Sequence, residues 1–234
     1  MTLRISRRGL VPPFIAMDVL RAATEREAAG ADIIHLEVGQ PGTPAPQQVV
    51  EAARRALEND RIGYTDALGI GSLREAIAAH YRAQYGVAVD PAEVVVTTGS
   101  SAAFQLGFLA AFEAGDRVGL AVPGYPAYRN ILTALGIEPV LIEVGENTHY
   151  QLDVDLLAAA GPLDGLIVAS PANPTGTMIG PSNLRRLIEY CASQGIRLIS
   201  DDIYHGITYE NEAATARAGD VTRSSSIRFQ NITA

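Results

Sequence analysis

Asn173, Asp201 and Tyr204 stand just beyond two short apolar runs, in L-I-V-A-S-P-A-N-P-T-G (residues 166–176) and I-R-L-I-S-D-D-I-Y-H-G (residues 196–206). An amide, a carboxylate and a phenol placed at strand ends would converge on one crevice as hydrogen-bonding groups. A third stretch, E-V-V-V-T-T-G-S-S-A-A-F, runs from β-branched residues through Gly99, Ser100 and Ser101 into an apolar helix pattern. Such a turn presents free backbone N–H groups to an anion. Taken singly, N-P-T-G also suits a plain turn and Asp201 a helix cap.

The elements that must position these groups follow from the apolar pattern. Runs of branched residues ending in polar groups read as strands buried on both faces of a parallel sheet, with ligands bound beyond their C-terminal ends. Strands are expected over 32–38, 93–98, 117–122 and 138–144, besides those that lead into the two motifs. Helices are expected over 17–29, 47–59, 100–114, 126–135 and 153–160, and a further one from a capping box of Ser72 and Glu75 to Tyr85. The alternation makes the class α/β, with no internal repeat and no low-complexity segment.

Composition narrows the function. The 234 residues suit one sizeable α/β core or one and a half small domains, and 47% hydrophobic with 19% charged residues is ordinary for a folded chain. A net charge of −8 argues against nucleic acid and anionic membranes as partners. The lone Cys191 sits in a helical context and reads as a core residue. No apolar run reaches membrane-spanning length and the N-terminus lacks a signal-peptide core, so a cytoplasmic protein is expected. His35, His80, His149 and His205 have no metal-ligand spacing, and the turn at Gly99 lacks the G-x-G-x-x-G pattern of a dinucleotide fold.

The paired motifs, in this order, resemble the class I/II aminotransferases, the fold-type I enzymes that use pyridoxal phosphate (PLP). The resemblance implies roles residue by residue. Asp201 pairs with the pyridine nitrogen, Asn173 and Tyr204 donate to the ring's phenolate oxygen, and Gly99, Ser100 and Ser101 cradle the phosphate. Tyr125, in P-G-Y-P-A-Y, stacks on the pyridine face, whereas Tyr128 reads as packing. Tyr64, in Y-T-D-A-L-G-I-G-S-L-R, reaches the neighbouring subunit's cofactor phosphate in a homodimer, and Gly39 lets backbone lie against the substrate. Asp202 replaces the glutamate usual in the family's D-E-x-Y and reads as peripheral. The implied reaction moves an amino group between an amino acid and a 2-oxo acid. A different fold-type I enzyme, such as a C–S lyase, or a non-catalytic truncated product would carry the same cofactor residues.

One departure governs the catalytic expectation. All 18 basic residues are arginine, and the family holds PLP as a Schiff base on a lysine that follows D-E-x-Y by roughly thirty residues. The resemblance is legible to about Ala216, and no S-F-S-K follows. Read from each codon's third base, Val221 to Ala234 can encode D-A-V-V-N-S-F-S-K-Y-Y-C, which points to a change of frame between about Glu212 and Val221. The expected division is therefore an N-terminal arm with part of a small domain (1–46), an incomplete PLP-binding large domain (47–216) and an out-of-frame tail (217–234). A chain without the lysine is expected to be catalytically dead, to hold PLP non-covalently at best, and to fold poorly because the sheet lacks inner strands.

Overall fold

The computed structural model describes residues 3–39, 42–209, 215–216 and 226–229, the last as backbone. The chain divides into two compact units, Met1–Val11 with Asp66–Thr233, and Pro12–Thr65.

The smaller unit holds helices α1 (Ile15–Ala28) and α2 (Gln47–Asn59), neither of which has a buried residue. The segment 32–38 alternates but forms no strand; Ile34 and Leu36 are exposed, and Glu37 accepts from His35 Nδ1 at 2.6 Å and from the Leu36 N–H at 2.9 Å. Alternation makes a strand only where a neighbour completes the ladder, and among the described residues none does.

From Asp66 onward the larger unit forms α3 (Gly71–Tyr85) and α4 (Ser100–Ala111). The expected capping box is absent: α3 begins one residue before Ser72, Ile70 is its N-cap, and no side chain caps it. Residues 93–98, expected as a strand, form none: Glu93 ends a 3-10 turn, 94–98 have no ladder partner among the described residues, and the Val96 N–H donates instead to Leu68 O at 2.9 Å.

Beyond them the chain alternates strictly. β1 (Arg117–Val122), α5 (Pro126–Leu135), β2 (Glu138–Glu143), α6 (Val154–Ala159), β3 (Gly165–Ala169), α7 (Pro181–Gln194) and β4 (Arg197–Asp201) lead to β5 (Ser226–Phe229). The sheet is parallel throughout, in the order β2-β1-β3-β4-β5. No strand was expected in the tail that supplies β5. The edge of β4 offers unpaired N–H and C=O groups that an extended tetrapeptide satisfies. No helix among the described residues is long and apolar enough to cross a membrane.

Both faces of the sheet are covered, as buried apolar strands require. On β3, Leu166 and Val168 face a core completed by Leu157 of α6 and by Leu184, Leu187 and Cys191 of α7. Ile167, between them, joins Ile199 of β4 in the opposite core, with Phe104 and Phe108 of α4 and Tyr128 and Leu132 of α5. Gly165 is required by this packing, because a Cβ there would lie 2.3 Å from Phe112 Cζ. In register, Ala169 stands beside Asp201, so the loops leaving β3 and β4 emerge side by side.

Candidate functional site

Asp201 is the last residue of β4 and is 3% exposed. Its Oδ2 accepts from the Tyr128 hydroxyl at 2.5 Å, and its Oδ1 from the Ile203 N–H at 3.1 Å. Burial pushes the carboxyl above its usual range, against the opposing pull of those two donors. The Tyr128 phenol is driven up by burial and by the facing carboxylate, so it stays neutral and donates. Tyr128, expected to be packing, does pack in the core beside Phe104, and its hydroxyl is in addition a side-chain donor to Asp201. The signal lay in P-G-Y-P-A-Y, whose two tyrosines are three residues apart at the start of α5 and so share a face.

Tyr125, the N-cap of α5, meets Tyr128 edge to face with ring centroids 5.3 Å apart. Burial raises its phenol, against an opposing interaction with the Ser101 side chain in the first turn of α4. Gly99 is the N-cap of α4 at φ 87°, a backbone conformation that favours glycine, and no side chain caps the helix. Ser100 and Ser101 form its first turn, where backbone N–H groups lack helical acceptors.

On the other side, Asn173 Nδ2 donates to the Tyr204 hydroxyl oxygen at 3.3 Å. That bond leaves the second amide hydrogen and the phenolic hydrogen available to a common acceptor. A cavity of about 470 Å³ opens beside the pair, lined also by Pro171, Met178, Ile207 and Tyr209. Five elements thus bring Ser101, Tyr125, Tyr128, Asp201, Asn173 and Tyr204 to the C-terminal end of a parallel sheet, the usual ligand side of such sheets.

Asp202, expected to be peripheral, has a side chain only 2% exposed. Its Oδ1 accepts from Ser200 Oγ at 2.6 Å and its Oδ2 from Thr215 Oγ1 at 3.3 Å, which ties the 215–216 segment to the end of β4. Gly39 and Tyr64 belong to the smaller unit, where both are exposed; among the described residues nothing lies within 4 Å of where a Gly39 Cβ would be.

Comparison with known proteins places this geometry. Residues 31–228 match the family model for aminotransferase class I and II. The chain belongs to that family. The match continues past Ala216 and ends within β5. A valine–pyruvate aminotransferase from Mycobacterium tuberculosis is 49% identical over 225 residues, which are 96% of this chain and 58% of that protein. A crystal structure of an aminotransferase from Mycobacterium tuberculosis superposes with a TM-score of 0.91 at 48% identity, covering 98% of this chain and 59% of the other. Aspartate aminotransferase from Thermus thermophilus, solved with maleate, gives 0.91 at 31% identity and covers 98% and 60%. The chain therefore spans about three-fifths of the length of these relatives.

Proposed function

We propose that this chain carries the cofactor-binding half of a PLP-dependent aminotransferase. The whole protein moves an amino group between an amino acid and a 2-oxo acid, as a homodimer. The observation that carries the reading is the buried Asp201 carboxylate at the end of β4, hydrogen-bonded by Tyr128 and flanked by the Asn173–Tyr204 donor pair. The residues present fit PLP. A carboxylate kept from water suits a protonated ring nitrogen, two spare hydrogens suit a phenolate oxygen, and an uncapped helix start suits a phosphate dianion.

When bound, PLP supplies an electron sink for charge that develops at the substrate α-carbon. The chain's own residues bind and orient it. Asp201 holds the proton on the ring nitrogen, and Tyr128 holds Asp201 in place. Asn173 and Tyr204 offset the charge on the ring oxygen, and Tyr125 covers one ring face. Gly99, Ser100 and Ser101 receive the phosphate. Tyr64 is assigned to the phosphate of the neighbouring subunit, and Gly39 to the substrate. The chain has no lysine, so it has no side-chain amine for covalent attachment of PLP or for moving a proton at the α-carbon. This chain by itself is proposed to bind PLP reversibly and to transaminate nothing. The name of the 49%-identical relative makes valine and pyruvate the pair to try first with the whole protein.

The test is a spectroscopic PLP titration of the purified 234-residue chain, with borohydride reduction and mass spectrometry. The expected result is saturable binding that dialysis reverses, with no side chain labelled after reduction. Absence of saturable binding, or equal binding by an Asp201→Ala variant, would overturn the assignment.

A further inference from the structure

His205 has no part in the binding scheme above, yet its side chain is only 2% exposed and both ring nitrogens are engaged. Nε2 lies 2.9 Å from the carbonyl oxygen of Ser170, in the loop that leaves β3. Nδ1 lies 2.8 Å from the hydroxyl of Tyr85, at the end of α3. A carbonyl only accepts, so Nε2 carries the hydrogen, and in the neutral ring Nδ1 accepts from Tyr85. Tyr85 is itself packed against the buried Tyr81, with centroids 5.4 Å apart. The ring thus joins three elements that the chain separates widely: α3, the loop after β3 and the loop after β4.

These two loops present the donor pair. Asn173 follows Ser170 by three residues, and Tyr204 is the neighbour of His205. Each loop is closed on itself, by Gly176 N–H to Ala172 O at 2.7 Å and Ile179 N–H to Ser170 Oγ at 2.9 Å in one, and by Ile207 N–H to Tyr204 O at 3.1 Å in the other. Between the loops the Asn173–Tyr204 bond is long, 3.3 Å, whereas the His205–Ser170 bond is 2.9 Å. The shorter bond, from a buried side chain, sets the distance between the loops better than the longer one can.

We propose that His205 is a positioning residue that clamps the loop after β3 to the loop after β4 and so sets the spacing of Asn173 and Tyr204. The assignment of that pair to the PLP oxygen rests on the function proposed above; the clamp itself does not. Histidine suits the place because it combines a donor and an acceptor on opposite sides of one rigid ring. Phenylalanine has the shape and neither bond. Glutamine can carry its amide nitrogen to where Nε2 lies, and so keeps the bond to Ser170.

The clamp is tested by hydrogen exchange on the cofactor-free chain, followed by PLP titration, for the parent, H205F, H205Q and Y85F. In H205F, exchange is expected to accelerate in peptides covering 170–179 and 203–207 but not in β1, with PLP affinity about tenfold weaker. H205Q is expected to restore affinity to within about threefold of the parent. Unchanged exchange in both loops together with unchanged affinity in H205F overturns the proposal. If H205F instead exchanges faster throughout, Y85F decides: faster exchange confined to 203–207 supports the clamp, and parental exchange there overturns it. If the parent takes up no PLP, the function proposed above fails, and the exchange measurements alone decide the role of His205.

Discussion

At the scale of single residues, the site is governed by a carboxylate that its surroundings do not favour. Burial raises the Asp201 pKa, so the fold penalises its charged form more than water does. Because the folded pKa lies above the unfolded one, the associated stability is present below the ordinary carboxylate range. It is lost as pH rises through the raised value. Asp201→Asn is therefore expected to flatten the dependence of melting temperature on pH across that interval and to raise stability at neutral pH. The same variant should weaken PLP binding by about 10- to 100-fold, the worth of a charge-assisted hydrogen bond. A variant that melts lower at neutral pH while binding PLP normally would contradict the assignment. Tyr128→Phe tests the other partner. Its hydroxyl lowers the Asp201 pKa, so its removal is expected to cost about 1–3 kcal/mol at neutral pH. In denaturant titrations that deficit should shrink as pH falls and the carboxyl becomes protonated.

At the scale of elements, strands with both faces covered were legible because their apolar runs are continuous. β1, β3 and β4 and helices α2 and α5 fall where the pattern places them. The elements that were misread depend on a partner or on local competition. Alternation at 32–38 has no ladder to join, and the Ser72–Glu75 pattern was displaced when α3 began at Gly71. Packing between layers is equally hidden from sequence. Gly165 looks like ordinary punctuation before a strand, yet Phe112 occupies the place of its missing Cβ. Gly165→Ala is expected to destabilise the fold by about 1–3 kcal/mol through overpacking. The cost should be smaller when introduced into a Phe112→Leu background. A double-mutant cycle by chemical denaturation measures that coupling, and strict additivity would show that the two positions do not meet.

At the scale of the molecule, α4 is the element least matched to its surroundings. Its twelve residues carry no charge, and Phe104 and Phe108 are fully buried on one side. On the other side Leu106 and Leu109 are 57% and 63% exposed, and Val95 is 53% exposed. A helix apolar on all sides suits burial on all sides, and exposed apolar patches promote association. The chain is expected to self-associate as concentration rises, and the double variant L106E/L109E to remain monodisperse to higher concentration. Light scattering across a dilution series checks this, and identical behaviour of the two proteins would show that association has another cause.

The sequence by itself determined the α/β class, the positions of the buried strands and the polar groups at their C-terminal ends. These are properties of short segments, carried by local period and residue type. It also determined that these 234 residues offer no lysine side chain, whatever their fold. Only the tertiary structure decided which side chains serve which. Tyr128 reaches Asp201 across 73 residues and Tyr85 reaches His205 across 120. Such partnerships come from how helices and loops stack around a sheet, and no local pattern records them.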